Sequence, residues 1–274
     1  MKRLTNQQLG AIELQLSATD RRILETLRQL RYTKSNQIQR LFFVRSITPR
    51  AKLVATSRAL NRLMSFGLVD HLPDHFKGWG KGTTGLIWYL TEAGGRLLDL
   101  GKLNDGKRTR HLEPSSAFVR HTLAVSECYV QITEICRMQP DMKINRLDVE
   151  PVCWRAYQKD GKAQSLRPDL YAETASGRFA DHWFIEMDLD TESPNDIVEK
   201  CRRYQSYYQT RKEQDTRGVF PIVLWIVPTE ERKQKMMDAI RFNFGTRYPR
   251  MHLIITPNQL WTVITEGARK EDLC

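Results

Sequence analysis

Apolar residues recur at helical spacing three times in succession near the start of the chain. Ile23, Leu24, Leu27 and Leu30 form the first stripe, behind a start signal at Ser17 to Asp20 in which Thr19 is placed as N-cap. Ile38, Leu41 and Phe42 form the second, with Thr33 or Ser35 as its cap, and a third helix follows a break at Pro49. In that helix Leu53, Leu60, Leu63 and Met64 fall on one side, with Ala51, Ala55, Arg58, Arg62 and Ser65 opposite. Gly67 suits the position just past its C-terminus. LVDHL and LIWYL then read as two short strands on either side of the glycine-rich DHFKGWGKGTTG, and a closing helix is expected over residues 92–100.

A polar, basic stretch, KLNDGKRTR, lacks apolar periodicity, so residues 102–112 are expected to be a linker between a domain at 1–101 and another at 113–274. The second half opens on a helical pattern carrying Phe118, Leu123, Val125, Tyr129, Ile132 and Ile135. Strand-like runs follow: INRLDVEPV, the pair LRPDLYAET and HWFIEMDLD joined through SGRFAD, then PIVLWIVP and MHLIITP. Helical patterns at 194–212 and 229–244 alternate with them, which predicts an α/β (α+β) domain built on a mixed sheet.

In the first half, the order of three helices, hairpin and closing helix over residues 17–100, with the phrasing LNRLMSFGLVD and YLTEAG, resembles winged helix-turn-helix domains. Charge points the same way. The net charge is +11, yet residues 1–112 hold 20 Lys and Arg against 8 Asp and Glu, and the remainder 23 against 24. Concentrated positive charge is the footprint of a segment that neutralises phosphates. Double-stranded DNA is therefore the expected partner, with Arg50, Lys52, Arg58, Asn61 and Arg62 as groove and phosphate contacts, and Lys77, Trp79 and Lys81 reaching from the hairpin tip. The alternatives are a solvated basic face or a protein-binding winged helix. Winged-helix proteins often dimerise to read paired half-sites, so a homodimer is in view.

Several classes are disfavoured. No apolar run approaches the roughly 18 residues of a membrane span, and the basic N-terminus lacks an apolar segment behind it, so a soluble cytoplasmic protein with no membrane partner is expected. Five scattered cysteines without a CxxC pair argue against a disulfide framework or a zinc site. HExxH spacing and phosphate-cradling glycine motifs are also missing.

The candidate chemistry lies in the second half. Asp169 starts one strand, and Glu186 and Asp188 stand two residues apart on the next, where three carboxylates can converge. Asp169 and Glu186 have the oxygen chemistry a Mg²⁺ ion takes; the other reading is strand-end carboxylates paired with neighbours such as Arg167. Pro168-Asp169, a hairpin, Glu186-Met187-Asp188 and a helix bearing Lys200 and Tyr204 resemble the restriction-endonuclease-like PD-(D/E)xK core over roughly residues 115–260. That pattern has lysine where this chain has Asp188. The resemblance then implies a catalytic set of Asp169, Glu186, Asp188 and Lys200, with Lys200 supplying the ammonium from the helix; a surface lysine is the alternative. Lys200 and Tyr204 also match the spacing of a Q-xxx-Y element.

The winged helix followed by RPDLYAE, FIEMDLDTES and EKCRRYQSYY is similar to the replication-relaxation family of plasmids and mobile elements, most tellingly over residues 167–208. The resemblance implies a DNA-binding accessory protein of replication, mobilisation (conjugation) or relaxation, with relaxase or replication proteins as partners. A Mg²⁺-dependent endonuclease or nickase and a transcriptional or copy-number repressor are the alternatives.

Overall fold

The computed structural model describes residues 3–44, 48–76, 85–100, 114–245 and 250–274. The mixed α/β fold expected from the pattern forms, as two compact units that part between Val130 and Gln131. This division falls inside a long helix, whereas the linker expected at 102–112 lies outside the described residues. No helix among the described residues is long and apolar enough to cross a membrane.

The first unit begins with α1 (Asn6–Glu13), capped by a reciprocal Thr5 and Gln8 box, and α2 (Ala18–Leu30). The cap of α2 is Ser17 rather than Thr19: its hydroxyl accepts from Asp20 N while the Asp20 carboxylate accepts from Ser17 N, which satisfies two helix-start donors at once. Next come β1 (Thr33–Lys34) and α3 (Ser35–Phe42). Neither expected residue caps α3. Thr33 lies in the strand, Ser35 is the first helical residue, and Gln37 reaches back to Lys34 N. Thr48 caps α4 (Pro49–Ser65), with proline at its first turn.

Helix α4 buries Thr56, Ala59, Leu60 and Leu63. Leu53, expected on that side, is 58% exposed, because it sits one turn before the region where α4 meets the core. The helix ends at Gly67 (φ 71°), whose N–H donates to Met64 O while Leu68 N donates to Leu63 O. These paired bonds satisfy two terminal carbonyls, and the left-handed turn favours glycine. β2 (Val69–His71) and β3 (Ile87–Leu90) follow, giving an antiparallel sheet ordered β1-β3-β2, then α5 (Glu92–Leu98) capped by Thr91.

Helix α6 (Ser116–Met138) contributes residues 116–130 to this unit. Val119 and Leu123 share a core with Leu72, Phe76 and Ile87, and the Glu127 carboxylate accepts from Gln37 (2.9 Å) and Arg40 (2.6 Å). These contacts place that part of the helix in the first unit, and the second unit begins within the same helix at Gln131.

The second unit is built on a five-stranded sheet ordered β10-β9-β8-β7-β4, comprising β4 (Met142–Val149), β7 (Leu170–Ser176), β8 (Phe179–Met187), β9 (Ile222–Ile226) and β10 (His252–Ile255). Pairs β4/β7 and β7/β8 are antiparallel and β8/β9 and β9/β10 parallel. A separate hairpin, β5 (Arg155–Lys159) with β6 (Lys162–Leu166), precedes β7. Helices α7 (Pro194–Gln209), α8 (Lys212–Arg217) and α9 (Glu230–Phe244) lie between β8 and β10, and α10 (Leu260–Glu266) follows. Tyr171, Phe184, Val223 and Trp225 form one apolar sheet face, packed with Ile197, Cys201, Tyr204 and Tyr207 of α7 and Met236 and Ile240 of α9.

Two neighbouring glycines in α5 make opposite predictions. A Cβ on Gly94 would lie 2.2 Å from Leu68 O and 2.6 Å from Leu90 Cδ1, whereas one on Gly95 meets nothing within 4 Å. Gly94→Ala is expected to destabilise the unit by about 1–3 kcal/mol through overpacking. Gly95→Ala should be neutral or stabilising by up to about 1 kcal/mol. Urea midpoints of the two variants check the pair.

A buried carboxylate and its cations in the second unit

Strand β7 begins directly after Asp169, and strand β8 carries Glu186 near its end. Asp169 N donates to Ile185 O, and Asp169 Oδ2 accepts from Met187 N at 2.8 Å, so this carboxylate caps the ladder where the two strands finish. Glu186 pairs in register with Trp225 of β9 and points to the face covered by α7. Lys200 and Tyr204 stand four residues apart on α7, one turn above one another, and both reach the same carboxylate. Tyr204 Oη donates to Glu186 Oε1 at 2.6 Å and Lys200 Nζ to Glu186 Oε2 at 3.2 Å. Lys200 also holds Glu192 Oε1 at 2.6 Å and lies 5.7 Å from the centre of the Trp225 ring.

Electrostatics follows from this burial. Glu186 is 3% exposed, and loss of water pushes its carboxyl up to about 7; the Lys200 ammonium opposes the shift and the nearby Asp169 charge adds to it. Desolvation works against the Lys200 ammonium, but Glu186, Glu192 and Asp169 together hold its pKa above the usual lysine value. Tyr204 is raised well above the ordinary phenol range by burial and by Glu186. Asp169, Glu186, Lys200 and Tyr204 therefore lie together, and three of the four residues expected to act together are among them.

Asp188 is the fourth, and it is not in that group. Its carboxylate accepts from Arg232 of α9, Nε to Oδ2 at 2.5 Å and Nη2 to Oδ1 at 3.2 Å. The same guanidinium donates to Glu192 O at 2.8 Å and pairs with Asp190 at 3.1 Å. Arg167, the neighbour weighed as a counter-ion, instead lies over the Trp154 ring. The actual partners come from helices far along the chain. Nothing local in the sequence marks Arg232, which stands 44 residues beyond its partner.

Mg²⁺ needs carboxylate oxygens open to it. Both oxygens of Glu186 are engaged by Tyr204 and Lys200, those of Asp188 by Arg232, and Asp169 Oδ2 by Met187 N. Among the described residues no group of three or more His, Cys, Asp or Glu is arranged to hold a metal ion. As placed, these residues do not fit Mg²⁺. What the arrangement does is neutralise a buried acid and tie α7 and α9 to the end of β8.

In the first unit, Arg50, Arg58 and Asn61 are exposed on α4 and Lys52 is half-buried. Arg62 is different: Nη2 donates to both oxygens of Asp20, at 2.6 and 2.5 Å, and Asp20 is fully buried. Burial would raise the Asp20 carboxyl, but bonds from Arg62 and Ser17 outweigh it and leave the pKa below the usual value. Lys77, Trp79 and Lys81 lie outside the described residues.

The Glu186 carboxyl supplies a pH prediction. A folded pKa raised from about 4.5 to about 7 means that the stability tied to the protonated acid is fully present below about 4.5 and is lost as pH rises through about 7. Glu186→Gln keeps the shape and removes the titration. Its urea midpoint, compared with wild type, should gain progressively between pH 5 and 8; a difference flat across that window contradicts the raised acid.

Comparison with curated proteins gives no match. A structure of the restriction endonuclease FokI bound to DNA aligns over 91% of this chain, at 11% identity and a TM-score of 0.26; the chain spans 45% of that protein's length, and at that score the likeness is too slight to bear on fold or activity. The replication-relaxation family model matches residues 24–223, which runs from the middle of α2 to the start of β9 and includes Asp169, Glu186, Lys200 and Tyr204. With most of its length covered by that match, the chain belongs to the replication-relaxation family.

Proposed function

We propose that this protein binds duplex DNA through its first unit, as an accessory factor in the replication or relaxation of a plasmid or mobile element. The observation that carries the reading is the outward face of α4. Arg50, Arg58 and Asn61 are exposed there, on the third helix of a unit whose sequence holds the whole positive excess of the chain. The succession α2, α3, α4 and the β2/β3 pair has the order of a winged helix-turn-helix, in which the third helix enters the major groove. Family membership supplies the setting, replication and relaxation.

The second unit is read as a restriction-endonuclease-like core used for assembly, with relaxase or replication proteins as its partners. Support comes from the engagement of its acids: Lys200, Tyr204 and Arg232 occupy oxygens that a metal-dependent hydrolysis would need open.

Arg50 and Arg58 are the probes of choice, because Arg62 serves the fold through Asp20. Each phosphate contact removed lowers the slope of log affinity against log salt by about 0.9. Arg50→Ala with Arg58→Ala should weaken retardation of duplex DNA and flatten that slope by up to about 1.8, leaving the unfolding free energy from urea denaturation within about 0.5 kcal/mol of wild type. Equal affinity and equal slope in the double variant would remove α4 from the interface.

A further inference from the structure

We infer that Val54 reads the 5-methyl group of a thymine, so that the DNA site of this protein carries thymine opposite the centre of α4. The inference rests on the proposed docking of α4 in the major groove and adds which base its middle turn selects.

The buried stripe of α4 consists of Thr56, Ala59, Leu60 and Leu63. At about 100° per residue, the direction opposite that stripe is occupied by Arg50, Val54, Arg58, Asn61 and Ser65. Val54 is 38% exposed and stands one turn from Arg50 on one side and one turn from Arg58 on the other. Single exposed apolar residues are ordinary on protein surfaces. This one is unusual in its company, because it is enclosed along the helix by two cations and followed by an amide. A protein partner fitted to Val54 would have to answer both guanidinium groups with acids, whereas the groove of a duplex offers phosphates on its walls and methyl groups on its floor. Major-groove edges match the set: arginine suits guanine, asparagine suits adenine, and an apolar side chain suits only the thymine methyl. The positive excess of the first half of the sequence complements the same partner. Neighbouring Ala51 and Ser57 are exposed and small, which lets the helix approach closely.

The test begins with the full chain and a pool of random duplexes, from which bound sequences are selected. The selected duplex is then remade with each thymine replaced in turn by deoxyuridine, which removes only the methyl. Wild type is expected to lose about fourfold in affinity at one or two positions, the effect of one buried methyl. Val54→Ala should bind the thymine and uracil forms within twofold of each other while Leu53→Ala, off the central stripe, keeps the discrimination. Indifference of wild type to every replacement overturns the inference, as does full discrimination by Val54→Ala. A dimer of the free protein that Val54→Asp disperses in sedimentation velocity also overturns it, by giving that face to a second copy. Failure to retain any duplex is a separate result and overturns the DNA-binding reading itself.

Discussion

A carboxylate enclosed by protein must be answered by a donor or a cation, and at the end of β8 that requirement organises the second unit. Glu186 is met by Tyr204 and Lys200 from α7, and Asp188 by Arg232 from α9. Two acids at the end of β8, one within the strand and one just beyond it, thereby fix two helices against the same sheet. Removing one partner from such a pair leaves a charge buried and alone, which typically costs about 3–5 kcal/mol. The same logic recurs at Glu213, which accepts from Arg155, Arg217 and Tyr207. Acid chemistry is thus turned inward. What remains facing solvent has little net charge to offer a polyanion, for the sequence from residue 113 onward is nearly balanced.

The first unit uses the same device and leaves most of its cations outside. Among its described residues one acid, Asp20, is buried, and Arg62 pairs with it, which holds α4 to α2. Gly67 turns the chain tightly at the end of α4, and Gly94 lets α5 approach Leu68 O more closely than any side chain would allow. Together these features set α4 firmly on its core through Leu60 and Leu63 while its other face projects Arg50, Val54, Arg58 and Asn61.

Much of this was legible in the sequence wherever burial is periodic. Ile23, Leu24, Leu27 and Leu30 mark α2, and all four are buried. Helix α1 was missed although Thr5 and Gln8 carry the capping-box spacing, because Leu9 is its single buried residue and leaves almost no stripe. The β5/β6 hairpin was missed for a related reason: Tyr157 and Leu166 alone are buried there, too few to show alternation. At the site, the resemblance put Asp169, Glu186, Asp188 and Lys200 in one set, and the structure brings Asp169, Glu186 and Lys200 together with Tyr204. Local spacing also placed Asp188 with them, since two residues apart on a strand means one face. That inference failed at the strand's end, where β8 stops at Met187 and Arg232 draws Asp188 to α9. Similarly, the helical wheel assigned Leu53 to the core but carries no information on where along α4 the core stops.

The central claim is that DNA is held by the first unit and that the acids of the second are engaged in structure. Supercoiled plasmid incubated with the full chain in Mg²⁺, Mn²⁺ or EDTA tests it most directly, read for both retardation and nicking. The account predicts retardation in all three, weaker with Mg²⁺ or Mn²⁺ only by their competition for the phosphates, unchanged by Asp169→Ala and without nicked product. Nicking that requires metal and disappears in Asp169→Ala would contradict it, and would mean that Glu186 gives up Lys200 and Tyr204 when DNA binds.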